Sequence, residues 1–404
     1  MTGDVIERVR PAPSFSLVRR AVQWAAQGIA RGRLAVTLPG GEALEFCGAA
    51  PGTQAQMTIG TWRFLARVAL GWDIGFAQSY LAGEWTSGDL SGLLRFMAEN
   101  LTMGKSFRRL NAPPILRQFR HGRNGNTRNG SRRNIAAHYD LGNDFYAAWL
   151  DADMIYSAGI YTSPDSTLED AQHEKCARIA ELLGLGGGED VLEVGCGWGA
   201  LARRLAEHAG CRVHGLTLSQ AQLVHARRIA AQSPAGALCT FELRDYRDSA
   251  GVYDRIVSVE MIEAVGEAYW PLYFKTLHDR LRPGGIAVVQ AITIGEAHFD
   301  DYRRRPDFIQ RYVFPGGMLP TKQVISAQAE AAGLTLERCE TFGESYARTL
   351  GDWRARFSAR WPAIAAMGFD ARFERMWNFY LAYCQAGFET GVLDVGLYRF
   401  RRNA

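Results

Sequence analysis

Hydrophobic and polar residues follow two different patterns, one on each side of a glycine- and arginine-rich stretch at 122–130. Before that stretch, two short apolar runs flank Pro39-Gly40-Gly41, which predicts a β-hairpin with a glycine turn. Apolar residues at helical spacing follow a further short run. The predicted strands lie at 34–38, 43–46 and 57–59, and the predicted helices at 61–80 and 88–102. This part of the sequence therefore predicts a small α+β domain.

After the stretch, the apolar runs are short, rich in β-branched residues and not alternating, which is typical of parallel strands buried on both faces. Helical patterns separate them. The predicted strands lie at 191–194, 213–216, 255–259 and 286–289, and the helices at 201–209, 219–231 and 269–281. Alternation of strand and helix predicts a doubly wound α/β sheet.

Composition and cysteine usage narrow the class of protein. A chain of 404 residues exceeds the size of one ordinary core and predicts two domains. No apolar run is long enough to cross a bilayer, and the start of the chain lacks a secretory pattern. The seven cysteines are scattered and form no C-x-x-C pair, which predicts no metal site and no disulfide framework. We therefore expect a cytoplasmic protein.

Nine basic residues crowd the stretch from 105 to 133. Such a stretch can be a solvated linker, or it can attract nucleic acid or an anionic membrane surface. Nucleic-acid binding would favour stacking aromatic residues among the basic ones, and only Phe107 and Phe119 lie there. We expect a basic linker at 121–133 and no nucleic-acid partner.

The strongest chemical signal is Glu193-Val194-Gly195-Cys196-Gly197-Trp198-Gly199, at the junction of a predicted strand and helix. Glycines at Gly195, Gly197 and Gly199 let a ligand approach the backbone. A bare G-x-G-x-G motif can also serve NAD. Glu193 before the glycines suits the ammonium of an amino acid, whereas a dinucleotide site needs the helix N-terminus for a pyrophosphate. The motif therefore favours S-adenosylmethionine.

Residues between the strands predicted at 213–216 and 255–259 complete the predicted cofactor site. Thr217, Leu218 and Gln222 follow the second strand, where an open α/β sheet contacts a ribose. Ser219 beside them is at least as well suited to capping a helix. Asp245 and Tyr246 precede the strand predicted at 255–259 and are predicted to meet the adenine.

Several longer motifs together resemble the cyclopropane-fatty-acyl-phospholipid synthase family, over about residues 60–400. They are His-Tyr-Asp-Leu-Gly-Asn-Asp-Phe-Tyr at 138–146, Tyr156-Ser157, Glu-Met-Ile-Glu-Ala-Val-Gly at 260–266, the segment 312–320, and Phe342-Gly343 with Tyr346. The resemblance implies a class I methyltransferase-type, Rossmann-like sheet with a smaller N-terminal α+β domain. It implies a lipid- or membrane-associated domain at 1–120, a linker at 121–133 and a catalytic domain at 134–404, and it adds Tyr156 and Ser157 to the cofactor site.

The same resemblance implies a reaction. The cis double bond of an unsaturated phospholipid acyl chain takes the methyl group of S-adenosylmethionine, and proton loss from the resulting carbocation closes a cyclopropane ring. In that family a bound bicarbonate is the base. Glu263, the main chain of Ile292 and Tyr346 match three of its ligands. We expect Glu263, Tyr346 and Gln290 to be catalytic and bicarbonate to be a second cofactor.

Two positions depart from the family pattern. Ala158 replaces a cysteine and Gln290 replaces a histidine among the bicarbonate ligands, although an amide still donates a hydrogen bond to an oxyanion. Three alternatives stay open: methyl transfer without ring closure, giving a methyl- or methylene-branched chain, an inactive lipid-binding protein, and a methyltransferase-like nucleic-acid-binding module. Aromatic residues between 312 and 388 are expected to fill a core for the most part, with Tyr346 as the exception. The resemblance also implies a homodimer at the inner membrane surface.

Overall fold

The computed structural model describes residues 28–100, 130 and 141–403. Its strands are β1 (Arg31–Thr37), β2 (Ala43–Cys47), β3 (Ala50–Ile59), β4 (Trp85–Thr86), β5 (Asp190–Val194), β6 (Arg212–Thr217), β7 (Cys239–Leu243), β8 (Tyr253–Val259), β9 (Leu281–Ile294), β10 (Leu334–Thr341) and β11 (Leu393–Arg402). Its helices are α1 (Arg63–Leu81), α2 (Leu90–Glu99), α3 (Asn143–Ala147), α4 (Leu168–Leu183), α5 (Ala200–Ala209), α6 (Gln220–Ala230), α7 (Ile262–Val265), α8 (Trp270–Arg280), α9 (Glu296–Arg304), α10 (Phe308–Tyr312), α11 (Lys322–Ala331), α12 (Gly343–Ala366) and α13 (Ala371–Glu389).

Backbone contacts divide the described residues into two compact units. The first unit holds residues 28–100 and 368–392, and the second holds 141–367 and 393–403. The segment 368–392 differs from the sequence-based division, which places it in the catalytic domain. Its helix α13 packs on α2, and Ser91 Oγ donates to Gln385 Oε1 at 2.9 Å. Helical periodicity predicts that α13 buries one face but does not say in which core.

The first unit has a four-stranded sheet in the order β2-β1-β3-β4. The predicted hairpin is confirmed, because β1 and β2 pair antiparallel. Its turn needs glycine, since Gly40 and Gly41 have φ of +111° and +90°. The predicted strand at 57–59 and the two predicted helices are also present, as parts of β3, α1 and α2.

The second unit has a seven-stranded sheet in the order β7-β6-β5-β8-β9-β11-β10. The predicted parallel strands are confirmed, because β5 pairs parallel with β6 and β8, and β9 with β8. The prediction missed the edge of the sheet, where β11 pairs antiparallel with both β9 and β10. Alternating exposure along β10 gives it a pattern unlike that of the doubly buried strands.

The order of the strands determines where a ligand can bind. Helices cover both faces of the sheet: Val191 packs with α4, α5 and α6, whereas Leu192 and Val194 pack with α8 and α11. The order reverses at β5, whose neighbours β6 and β8 lead away in opposite directions. Crevices at the carboxyl ends of such strands bind ligands. The glycine motif lies at that reversal.

Among the described residues, no helix is long and apolar enough to span a membrane, and no cluster of His, Cys, Asp or Glu could hold a metal ion. Apart from Gly130, the basic stretch, the predicted linker and residues 138–140 of the first family motif lie outside the described residues.

Candidate active site

The glycine motif forms a tight turn between β5 and α5. Gly195, Gly197 and Gly199 all have positive φ, at +86°, +52° and +86°. The amide of Gly195 donates to the carbonyl of Leu216 at 3.0 Å, which fixes the turn against β6. A Cβ on Gly199 would lie 2.8 Å from Ala226 Cβ, whereas one on Gly197 would meet no described atom within 4 Å. Gly199 therefore allows helix packing, and Gly197 leaves open the side from which a ligand approaches.

Glu193 lies at the end of β5 and is only 3% exposed. Within the described part of the chain, its Oε2 is buried and has no hydrogen-bond partner. Burial raises the pKa of Glu193 to about 8, and the positive charge of Lys175 opposes the rise. A buried carboxylate with one unpartnered oxygen suits an incoming ammonium group, which would stabilise its ionised form. The carboxylate and the open glycine turn therefore fit the amino acid end of S-adenosylmethionine.

The segment around Ser157 lies against α4. Lys175 Nζ donates to Ser157 Oγ at 2.7 Å, and Gln172 Nε2 donates to the carbonyl of Ser157 at 2.9 Å. The ring of the neighbouring Tyr156 packs between aromatic rings, with centroids 5.4 Å from Tyr146 and 5.2 Å from Trp353. Helix α4 and the aromatic rings therefore hold the Tyr156-Ser157 pair.

The remaining predicted cofactor residues lie after β6 and β7. Thr217 Oγ1 donates to Gln222 Oε1 at 2.8 Å, and both residues are buried, while Leu218 is partly exposed. Ser219 caps α6, as its alternative role predicted, by accepting from the amide of Gln222.

Asp245 forms a buried ion pair with Arg247, at 2.6 Å between Oδ2 and Nη2. The guanidinium of Arg247 lies over the rings of Tyr246 and Tyr269. The Asp245 carboxylate is therefore fixed by its own loop before any ligand binds. A role for Asp245 and Tyr246 at the adenine stays a prediction.

Trp198 connects the glycine turn to the first family motif. Its Nε1 donates to Asn143 Oδ1 at 2.8 Å, and Asn143 Nδ2 donates to the carbonyl of Ala221 at the start of α6. The rings of Trp198 and Tyr146 have centroids 5.1 Å apart. Helix α3 therefore packs beside the turn, although sequence reasoning assigned no role to Trp198 or Asn143.

The residues predicted to hold an anion converge on a side chain that sequence reasoning missed. The Oε1 of Glu260 accepts from the amide of Ala158 at 2.8 Å and from Gln290 Nε2 at 2.7 Å. Its Oε2 accepts from the Tyr346 hydroxyl at 2.7 Å. Glu260 has a φ of +47°, which an L residue adopts only at an energetic cost. Strain of this kind is common at functional sites.

Glu263 is the second carboxylate of the site. Its Oε1 accepts from the amide of Ile292 at 2.6 Å. Its Oε2 is buried without a hydrogen-bond partner among the described residues. Burial and then the nearby charge of Glu260 raise the pKa of Glu263 to about 8. Burial also raises the pKa of Glu260 above its ordinary value, and the hydrogen bonds from Tyr346, Ala158 and Gln290 oppose that rise.

The expectation of a bound bicarbonate does not fit this arrangement. Gln290, Tyr346 and the amide of Ala158 already donate to Glu260, and the amide of Ile292 donates to Glu263. A further oxyanion would meet two carboxylates and no unused donor from this set. The sequence feature that could have indicated this arrangement is the acid Glu260, together with Ala158 and Gln290 in place of the family's cysteine and histidine.

The predicted aromatic residues separate into two groups. Trp353 and Phe357 are fully buried in the second unit, and the ring centroids of Trp353 and Tyr346 are 6.1 Å apart. The aromatic residues of α13 instead fill the core of the first unit; they are Trp377, Phe379, Tyr380 and Phe388. The expectation that most of these rings are core residues is thus confirmed, but for two separate cores.

Comparisons with known proteins agree with this geometry. The family model for mycolic acid cyclopropane synthetase matches residues 126–397. The chain is 42% identical over 332 residues to the tuberculostearic acid methyltransferase UfaA1 of Mycobacterium tuberculosis, covering 80% of this chain and 77% of the relative. It is 35% identical over 345 residues to the cyclopropane-fatty-acyl-phospholipid synthase of Escherichia coli K12, covering 84% and 86%.

A solved structure matches as well. The crystal structure of the mycolic acid cyclopropane synthase CmaA1, complexed with SAH and CTAB, has a TM-score of 0.63 and 31% identity. The match covers 67% of this chain and 98% of that one. Together with the family model, this match confirms the predicted class I methyltransferase fold and the predicted cofactor S-adenosylmethionine.

Proposed function

We propose that this chain, which belongs to the mycolic acid cyclopropane synthetase family, transfers the methyl group of S-adenosylmethionine to the cis double bond of an unsaturated phospholipid acyl chain. The observation that carries the proposal is the pair of neighbouring carboxylates of Glu260 and Glu263, which hydrogen bonds from Tyr346, Gln290 and the main chain hold in place. Through Ala158, Glu260 is bonded to the segment that holds Ser157 of the cofactor site.

The chemistry requires a base near a cation. Bound S-adenosylmethionine supplies an electrophilic methyl group on a sulfonium. The π electrons of the acyl double bond form the new carbon–carbon bond as the carbon–sulfur bond breaks and its electrons return to sulfur. The chain is left with a carbocation. Loss of a proton from the new methyl group, with closure of a carbon–carbon bond, gives a cyclopropane.

Glu260 is the residue best arranged to take that proton. Three hydrogen-bond donors hold its carboxylate, and such donors favour the ionised form. Glu263 next to it has a pKa raised to about 8 and therefore carries less negative charge at neutral pH. Environments that separate the pKa values of two neighbouring acids assign them different roles. In this proposal a protein carboxylate replaces the bicarbonate expected from the sequence.

The fate of the cation defines the alternative product. Glu260 stands among residues that lack the family's cysteine and histidine, and the relatives named above include both cyclopropane synthases and a methyltransferase. If the proton leaves a chain carbon, or the cation first moves by a hydride shift, the product is a methyl- or methylene-branched chain. We propose the cyclopropane as the main product and the branched chain as the alternative product.

The first unit is proposed as a lipid-associated domain that brings the enzyme to the cytoplasmic membrane surface. Leu70 of α1 is 81% exposed, and Trp62 just before α1 is 36% exposed. Large exposed apolar residues of this kind suit insertion into a lipid interface. A homodimer, as the family resemblance implies, would place two such surfaces on one membrane.

Transfer of labelled methyl groups to vesicles tests the proposal. Purified enzyme and methyl-labelled S-adenosylmethionine are incubated with vesicles whose acyl chains are cis-unsaturated, or with saturated vesicles as the control. We expect label in fatty acid methyl esters from the unsaturated vesicles alone, at a mass one methylene unit higher. Resistance of the product to mild hydrogenation indicates a ring, and uptake of hydrogen indicates a branched alkene. Absence of label from both vesicles would contradict lipid methylation.

A further inference from the structure

A buried lysine beside the cofactor segment has no part in the chemistry above. Lys175 lies on α4 and is only 2% exposed, one of the few charged side chains so fully buried in the described chain. Its Nζ donates to Ser157 Oγ at 2.7 Å. Burying an ammonium group is costly unless carboxylates and hydrogen bonds compensate it. The burial of Lys175 therefore requires compensating groups in its surroundings.

The surroundings of Lys175 supply that compensation. Burial lowers the pKa of Lys175, while the nearby carboxylates of Glu260, Asp151 and Glu193 act in the opposite direction. Asp151 has a structural role, since it accepts from the amides of Ile155 and Asp153. The other two carboxylates are Glu193, at the end of β5, and Glu260, which accepts from the Tyr346 hydroxyl. Lys175 thus interacts electrostatically with both Glu193 and Glu260.

The hydrogen bond to Ser157 fixes the direction of its hydroxyl. An ammonium group donates and cannot accept, so Ser157 Oγ is the acceptor in this bond. The hydroxyl hydrogen must then point away from Lys175. The carbonyl of Ser157 is held separately by Gln172 Nε2. Ser157 is left as a hydrogen-bond donor, which suits a carboxylate and not an ammonium.

We propose that Lys175 is a positioning residue that acts through Ser157, fixing its hydroxyl as a donor for the carboxylate of S-adenosylmethionine while Glu193 takes the ammonium. The two polar ends of the amino acid group would then be recognised by different walls of the site, one from α4 and one from β5. The proposal rests on the cofactor and is independent of the lipid substrate.

Two ligands separate this role from a general structural one. S-adenosylhomocysteine carries the amino acid group, whereas 5′-methylthioadenosine has the same nucleoside and thioether without it. Titration calorimetry on the full chain should show that Lys175→Met lowers affinity for S-adenosylhomocysteine by about tenfold or more, the effect of one lost hydrogen bond to a charged group. Affinity for 5′-methylthioadenosine should stay within about twofold.

Two further variants test the route through Ser157. Ser157→Ala should produce the same selective loss, and the double variant should be no weaker than the stronger single one, because both changes remove one interaction. Lys175→Gln serves if Lys175→Met does not fold. Its amide can accept from Ser157 as well as donate to it, so the hydroxyl is no longer forced to donate toward the cofactor, and this variant should also lose affinity for S-adenosylhomocysteine selectively. Equal loss for both ligands, unchanged affinity for both, or additive losses in the double variant would overturn the proposal.

Discussion

Replacing Glu260 by glycine tests whether a protein carboxylate is the base. The change removes the side chain that accepts from Ala158, Gln290 and Tyr346 and leaves those three donors facing a space of about carboxylate size. Glycine also adopts the φ of +47° at position 260 without the roughly 1–2 kcal/mol that an L side chain costs there. The relieved strain and the lost buried charge offset the lost hydrogen bonds.

These terms set the expected size of the effect. General base catalysis contributes about 10²–10⁴-fold, so kcat should fall by that factor, or about 2.7–5.4 kcal/mol of transition-state stabilisation. We expect the free energy of unfolding to change by no more than about 2 kcal/mol, because strain relief opposes the loss of hydrogen bonds. A folded Glu260→Gly enzyme should therefore be nearly inactive at neutral pH.

Chemical rescue provides the decisive assay. Turnover of Glu260→Gly on unsaturated vesicles is measured with increasing formate or bicarbonate, and a small carboxylate that fills the vacated space should restore activity by tenfold or more. Glu260→Gln is the matched control, because its amide occupies the space and should prevent rescue. Wild-type turnover in Glu260→Gly without added anion, or inactivity that no anion restores, would refute the assignment of Glu260 as the base.

Three further predictions concern the cofactor and the second acid. Since Glu193 has a pKa of about 8 when the cofactor is absent, and an ammonium stabilises its ionised form, binding of S-adenosylhomocysteine should release a proton and tighten as the pH rises from about 6 to 8. Calorimetry in buffers of different ionisation enthalpy should show this release in the wild type but not in Glu193→Gln. Gly199→Ala should lower the free energy of unfolding, measured in urea, by about 2 kcal/mol or more, because its Cβ would crowd Ala226. Gly197→Ala should lower it by only about 1–2 kcal/mol, the cost of its positive φ, but should weaken cofactor binding. Glu263→Gln should lower kcat far more than it raises the Kd for S-adenosylhomocysteine, and equal changes in both would assign Glu263 to structure.

The sequence predicted the sheet and the cofactor turn because both depend on local patterns. Val191 is apolar on one face of β5, Leu192 and Val194 are apolar on the other, and three glycines follow directly in the next turn. The hairpin on either side of Gly40 and Gly41 was predicted for the same reason, because its turn and its two strands are adjacent in sequence. Strand β11, which lies between β9 and the edge strand β10, was missed because its partners come from distant parts of the chain and its register depends on their packing.

The candidate catalytic centre was predicted only in part, for a different reason. Glu263, Gln290, Ile292 and Tyr346 were identified as a group, and the structure brings them together. Which acid they surround depends on a backbone conformation, the positive φ of Glu260, that no hydrophobic pattern reports. The sequence analysis assigned these hydrogen-bond donors to a bound anion, as in the family. In the structure they donate to the carboxylate of Glu260 instead.

The fate of a deuterium-labelled methyl group tests the central claim most directly. The enzyme is given S-adenosylmethionine with a fully deuterated methyl group and vesicles of cis-unsaturated phospholipid, and the fatty acid products are examined by mass spectrometry. The account predicts transfer to the acyl chain with loss of one deuterium to the base and a product that resists hydrogenation. Retention of all three deuterium atoms would show that the proton leaves the chain instead, and absence of deuterium from the acyl chains would contradict methyl transfer to lipid altogether.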